Sequence, residues 1–205
     1  MPVVVAPYDP LRRDEIVGVL ARAFFDDPLY RWLWPDQERR KRGIVGFITA
    51  ETRLGARLGR VDVALDHDGR VVGAALWALP GRYPFAVLPS ARAMAGAVRR
   101  MGWSATGRLP LLKRVDGAHP RQPHWYLITV GVEPEVRGRG VGRTLILATA
   151  AQADREGLPI YLETFNPANP PYYRALGFAD RETVERRRLP TFWTMLRPPG
   201  AAAAG

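Results

Sequence analysis

The chain contains no cysteine. That absence excludes disulfides, thiolate metal sites and a cysteine nucleophile. Histidine is scarce too: His67, His119 and His124 are scattered through loops and strand starts, a pattern that predicts no zinc site, and no metal is expected. No stretch reaches the roughly 18 consecutive apolar residues that a membrane-spanning helix requires. The start, MPVVVAPYDP, lacks the basic stretch and long apolar core of a signal peptide and reads as a first strand. A cytoplasmic protein without a membrane partner is the expectation.

Lysine is nearly missing. Of 30 basic residues only Lys41 and Lys113 are lysines, and the net charge is +10. Clustered basic residues would suggest nucleic acid, whose phosphates they neutralise. Here the arginines are spread along most of the chain, and arginine excess beside many Ala, Gly and Pro is what a GC-rich coding genome produces. Nucleic acid is therefore not an expected partner. A general positive field that draws an anionic ligand is the more economical reading.

What is present is enough chain for one domain, expected over residues 1–197. Pro2–Ala6 reads as a strand, and Asp9-Pro10-Leu11 as the cap and first turn of a helix running to about Phe25, with Ile16, Val19, Leu20 and Ala23 at helical spacing. A second helical region covers about Gln37 to Arg57. Val61–Leu65 and Arg70–Leu79 read as strands joined by the turn Asp66-His67-Asp68-Gly69. Ser90–Lys113 is partly helical but broken by Gly102, Gly107 and Pro110. Strand Trp125–Val132, helix Gly142–Glu156, strand Pro159–Thr164 and a short helix Asn169–Leu176 follow, and strands near Phe178–Arg186 and Thr191–Arg197 close the domain. Residues 198–205 have nothing to pack against and are expected to be disordered. The order implies an α/β fold whose mixed sheet is covered by helices on both faces.

One segment carries most of the chemistry. In HWYLITVGVEPEVRGRGVGRTLILATA an apolar strand ends, Arg137-Gly138-Arg139-Gly140-Val141-Gly142 makes a turn, and an alanine-rich helix begins. Backbone N–H groups at such a helix start attract phosphate, and each glycine lets a bulky anion approach the main chain. The nucleotide-triphosphate loop G-x-x-x-x-G-K-S/T is absent, and the dinucleotide pattern G-x-G-x-x-G fails because Arg143 stands where its third glycine belongs. What fits is Q/R-x-x-G-x-G/A, with Arg137, Gly140 and Gly142 in register. The alternative, a glycine-rich turn and nothing more, weakens once the rest of the chain is read with it.

This loop resembles the pyrophosphate loop of the GNAT superfamily of acyl-CoA-dependent N-acyltransferases. The likeness runs from about residue 8 to 197 and is strongest from Trp125 to Phe178; within the superfamily it is similar to puromycin N-acetyltransferase-like proteins. The resemblance implies a GNAT-type central sheet of about seven strands and acetyl-CoA as co-substrate. It places Val130, Gly131 and Val132 on a splayed strand that pairs with pantetheine, and Arg137, Gly138, Arg139, Gly140, Val141, Gly142 and Arg143 around the pyrophosphate. An ordinary bulge at Gly131 is the plainer alternative. In Leu162–Phe178 an asparagine precedes Tyr172-Tyr173 and Gly177-Phe178, as in the superfamily; Asn169 is favoured over Asn166 because it opens the helix.

Tyr173 is the catalytic candidate. A departing CoA thiolate needs a proton, and a thiol near pKa ~8.5 and a phenol near ~10 are close enough for transfer; a packed core tyrosine is the alternative. Glu163 is the candidate base for the acceptor ammonium, or else half of a structural ion pair. For the acceptor, two carboxylates beside five aromatics in Phe24–Trp34 suit a cationic amine, and Asp26, Tyr30 and Trp32 are the residues chosen. The same aromatics could form a helix junction with Asp26 or Asp27 merely capping a helix. The expected activity is acetyl transfer from acetyl-CoA to a small-molecule primary amine by direct attack in a ternary complex, by a monomer or homodimer. A peptide N-acetyltransferase or a catalytically silent acyl-CoA-binding module are the competing readings.

Overall fold

The structure is a computed structural model that describes residues 2–83, 108, 115 and 117–203. Most of the broken helical stretch expected over Ser90–Lys113 lies outside the described residues. The rest forms one seven-stranded sheet in the order β1-β2-β3-β4-β5-β7-β6. The strands are β1 Val4–Pro7, β2 Arg60–Leu65, β3 Val71–Ala78, β4 Trp125–Val132, β5 Ile160–Thr164, β6 Ala179–Val184 and β7 Phe192–Arg197. Only β4 and β5 are parallel neighbours; every other pair is antiparallel. The β2–β3 hairpin closes where expected, with Asp66 Oδ1 accepting from the N–H groups of Asp68 and Arg70.

Alternation along the strands assigns the two faces of the sheet. Val61, Val63, Ala74 and Leu76 pack with α1 (Arg13–Ala23), α2 (Pro28–Leu33) and α3 (Gln37–Leu58) on one side. Ala64, Ala75, Trp77, Trp125 and Leu127 pack with α4 (Val141–Glu156) and with Tyr173 of α5 (Asn169–Arg174) on the other. Period-two burial is what a sheet covered on both faces requires. Among the described residues no helix is long and apolar enough to cross a membrane.

Two local departures from the sequence reading matter below. The first helix stops at Ala23, and Asp27 starts a separate short helix by accepting the Leu29 N–H at 2.9 Å. Pro28 at its first position makes that restart inexpensive. The segment after Arg197 also finds partners: Gly200 donates its N–H to Asp154 Oδ1 at 2.7 Å, and the buried Arg197 pairs with the same carboxylate at 2.6 Å. Ala201 packs against Gly177.

Candidate active site

The sheet opens at its centre. β4 stays paired to β3 as far as Val132, but its parallel pairing to β5 ends at Leu127–Leu162. Beyond that point β5 continues to Thr164 against β7. The strands diverge, and the edge of β4 from Ile128 to Val132 faces a cleft instead of a strand. Gly131 has a second reason to be glycine. A Cβ there would stand 2.9 Å from Ala23 Cβ and from Leu20 Cδ2, so α1 presses directly on the strand.

The start of α4 closes one end of this cleft. Gly138 and Gly140 have φ of +75° and +82°, with open space where a Cβ would stand. Conformation, not crowding, selects glycine at both. Gly140 is the N-cap and supplies no side-chain acceptor, so the first-turn N–H groups stay available to an anion. At Gly142 an added Cβ would lie 2.8 Å from the Tyr172 hydroxyl. The cleft encloses about 720 Å³, and Val130, Gly131, Val132, Arg137, Gly138, Gly140, Val141, Gly142 and Arg143 are among its lining residues. Arg139 is not among its lining residues. Arg137 acts partly as a brace, donating to the Ala23 carbonyl at 2.7 Å. Free backbone donors and acceptors along one strand edge, plus an uncapped helix start flanked by arginine, fit a pantetheine pyrophosphate.

Behind the cleft lies a second cavity of about 360 Å³. Phe24, Asp27, Val130, Asn169 and Tyr173 line both spaces and so mark their junction. Tyr173 is buried against Phe178, and burial, with smaller contributions from Tyr172 and Asp27, raises its phenol well above the ordinary value. It therefore stays a protonated donor. Asn169 donates to Thr164 Oγ1 at 2.9 Å, whereas Asn166 uses its side-chain oxygen to accept from the Ala168 N–H at 3.0 Å. Both asparagines line the cleft, and only Asn169 also reaches the inner cavity.

Of Asp, Glu, Lys and Arg side chains, only the acidic types line the inner cavity among the described residues. Among the described lining residues there is no arginine or lysine, whereas Asp27, Glu51 and Glu163 are present. Burial raises the Asp27 carboxyl to about 6 against the lowering pull of the Leu29 N–H. Burial likewise raises Glu51 to about 7, opposed by the Thr129 hydroxyl that donates to it at 3.1 Å. Glu163, its side chain 5% exposed, has Oε1 3.0 Å from His119 Nε2, close enough for charge contact but not aligned as a hydrogen bond. His119 stacks on Tyr83 and lies 3.3 Å from His124. The remaining wall is largely aromatic, with Phe24, Tyr30, Phe47, Tyr83, Tyr126 and Phe165.

Of the three residues expected to meet the acceptor, only Tyr30 lines this cavity. Asp26 is exposed and lines the outer cleft; its neighbour Asp27 turns inward because the N-cap geometry of α2 holds it there. Trp32 is not a lining residue and instead carries Arg108 over its ring at 5.7 Å. Glu51 was not singled out from sequence, yet a signal existed. Ile44, Ile48 and Gly55 form the buried stripe of α3, and Glu51 falls on it at the +3 position from Ile48.

A family model described as the acetyltransferase (GNAT) family matches residues 4–178. The chain is 30% identical over 182 residues to an uncharacterized N-acetyltransferase of Schizosaccharomyces pombe, covering 82% of this chain and 70% of that protein. The crystal structure of a histone acetyltransferase HPA2 and related acetyltransferase from Corynebacterium glutamicum superposes with a TM-score of 0.75 at 28% identity, over 98% of this chain and 99% of that one. A GNAT superfamily phosphinothricin acetyltransferase from Sinorhizobium meliloti, solved in complex with acetyl-CoA, superposes with a TM-score of 0.58 at 15% identity, over 98% and 90%. The chain belongs to the GNAT acetyltransferase family and is an acyltransferase of that family.

Proposed function

We propose that the protein acetylates the primary amine of a small molecule, with acetyl-CoA as donor and direct attack in a ternary complex. The observation that carries this reading is the junction. A cleft suited to pantetheine and pyrophosphate meets an acidic, aromatic cavity across Asp27, Asn169 and Tyr173. Val130–Val132 and the N–H groups of Val141, Gly142 and Arg143 hold the donor there, with Asn169 beside the pantetheine arm. An ammonium ion is drawn into the inner cavity by its carboxylates and aromatic faces. The narrower likeness to puromycin N-acetyltransferase-like proteins belongs to the sequence reading alone.

The amine must shed a proton, attack the thioester carbon and form the N–C bond as the C–S bond breaks. Asp27 takes that proton in our scheme. It is the one carboxylate lining both spaces, and a carboxyl raised to about 6 is a better base near neutrality than an ordinary one. Glu163, first read as the base, sits on the inner wall beside His119 and serves to hold the incoming ammonium. Tyr173 donates its phenolic proton to the departing sulfur and recovers one from the nitrogen of the newly formed amide, while Asp27 releases the ammonium's proton to solvent.

Initial velocities with donor and amine both varied test the scheme. Intersecting lines are expected; parallel lines would indicate a covalent acetyl-enzyme and contradict it. Donor binding without thiol release for any amine would favour a silent acyl-CoA-binding module instead.

A further inference from the structure

The inner cavity contains more acid than one ammonium ion needs. Three carboxylates line it in a protein whose net charge is +10, and among the described lining residues no arginine or lysine offsets them. They are not equivalent. Asp27 stands at the junction with the cleft, whereas Glu51 and Glu163 line the inner cavity alone. Glu163 has the His119 imidazole 3.0 Å away, though its Oε1 has no aligned hydrogen bond. Among the described residues Glu51 has only the Thr129 hydroxyl, at 3.1 Å, and no ion pair.

A carboxylate withdrawn from water without a cation is costly, and folding alone gives no reason to keep one on the buried stripe of a helix. The walls also give the acids an order. The Tyr30 phenol lies in the fields of both Glu51 and Asp27, and the Tyr126 phenol in those of both Glu163 and Glu51. Tyr30, whose ring packs with Phe24 and Phe47, is thus near both Glu51 and the junction acid Asp27. A ligand whose reacting nitrogen sits at Asp27 and whose other end reaches Glu51 runs along this aromatic wall. A hydrocarbon spacer suits that passage, and the rings favour a cation at either end.

We propose that the acceptor is a dication: a small-molecule α,ω-diamine whose far ammonium is seated against Glu51 while its near nitrogen is acetylated. The inference rests on the acetyltransferase reading and adds a specificity-determining residue to it. A monoamine leaves Glu51 without a counter-charge, so the second ammonium group supplies the discrimination.

Calorimetric titration of the full chain with 1,4-diaminobutane, its longer homologues and monoamines of matched length tests this, alongside thiol release with acetyl-CoA. The best diamine is expected to bind at least about tenfold tighter than its matched monoamine, a difference of about 1.4 kcal/mol. Glu51→Gln should reduce that ratio at least about fivefold, through KM more than kcat in the turnover assay. Glu51→Asp should keep part of it, and serves if Glu51→Gln does not fold. Equal binding of diamine and monoamine by the wild type, or an unchanged ratio in both variants, overturns the inference. Monoamine turnover as efficient as diamine turnover overturns it while leaving the acetyltransferase reading intact. Glu51-dependent diamine binding with no thiol release does the reverse.

Discussion

Tyr173 and Asp27 divide the proton traffic of the proposed reaction, and they respond to substitution differently. Tyr173→Phe removes the donor to sulfur but keeps the ring against Phe178. A loss of about 10²-fold in kcat with CoA affinity nearly unchanged is expected from stopped-time thiol assays. Asp27→Asn keeps a capping side chain for α2, because asparagine caps as well as aspartate, and should lower kcat more than Glu163→Gln does. The reverse ranking would return the role of base to Glu163.

The buried acids also make stability depend on pH. Asp27 and Glu51 are raised by burial to about 6 and about 7, above the ~4 of carboxyls in an unfolded chain. Tyr30, Tyr126 and the Thr129 hydroxyl are the groups near Glu51, and Asp27 and Glu163 line the same cavity. Between those limits the folded protein holds more protons than the unfolded chain. The stability these carboxyls contribute is complete below about pH 4 and is lost as pH rises through about 7, on the order of 3 kcal/mol for Glu51. Melting temperatures across that window should therefore fall more steeply for wild type than for Glu51→Gln. Parallel curves would contradict the burial of Glu51.

At the scale of elements, the glycine-rich turn before α4 and the strand that leaves its neighbour were legible because their signals are local. Glycines at fixed offsets before a helix and an apolar run ending in Val-Gly-Val need no knowledge of distant residues. Gly140 illustrates the constraint: its φ of +82° has no steric cause nearby, so Gly140→Ala strains the backbone alone, by about 1 kcal/mol. Weakened CoA affinity should accompany it, read by calorimetry. The acceptor side was harder to read. Adjacent acids at 26 and 27 look alike in sequence, and only the restart of the chain as α2 decides which one turns inward. Glu51 belongs to a helix whose stripe was readable, but the cavity that stripe faces is assembled from β4, β5 and α2. The contact of Gly200 was illegible for the same reason: Asp154, which accepts its N–H, is 46 positions away.

Across the whole molecule, a net positive charge and a cavity lined by carboxylates make complementary fields. In the proposed reaction the first suits the anionic donor and the second a cationic acceptor. High salt should therefore raise KM for acetyl-CoA more than it lowers kcat, since screening acts on exposed charges first. The most direct measurement of the whole account is thiol release by the purified full chain given acetyl-CoA and a panel of mono- and diamines, with products weighed by mass spectrometry. The prediction is one thiol released per acetyl group found on an amine nitrogen. Tight acetyl-CoA binding with no amine in the panel acetylated would contradict it.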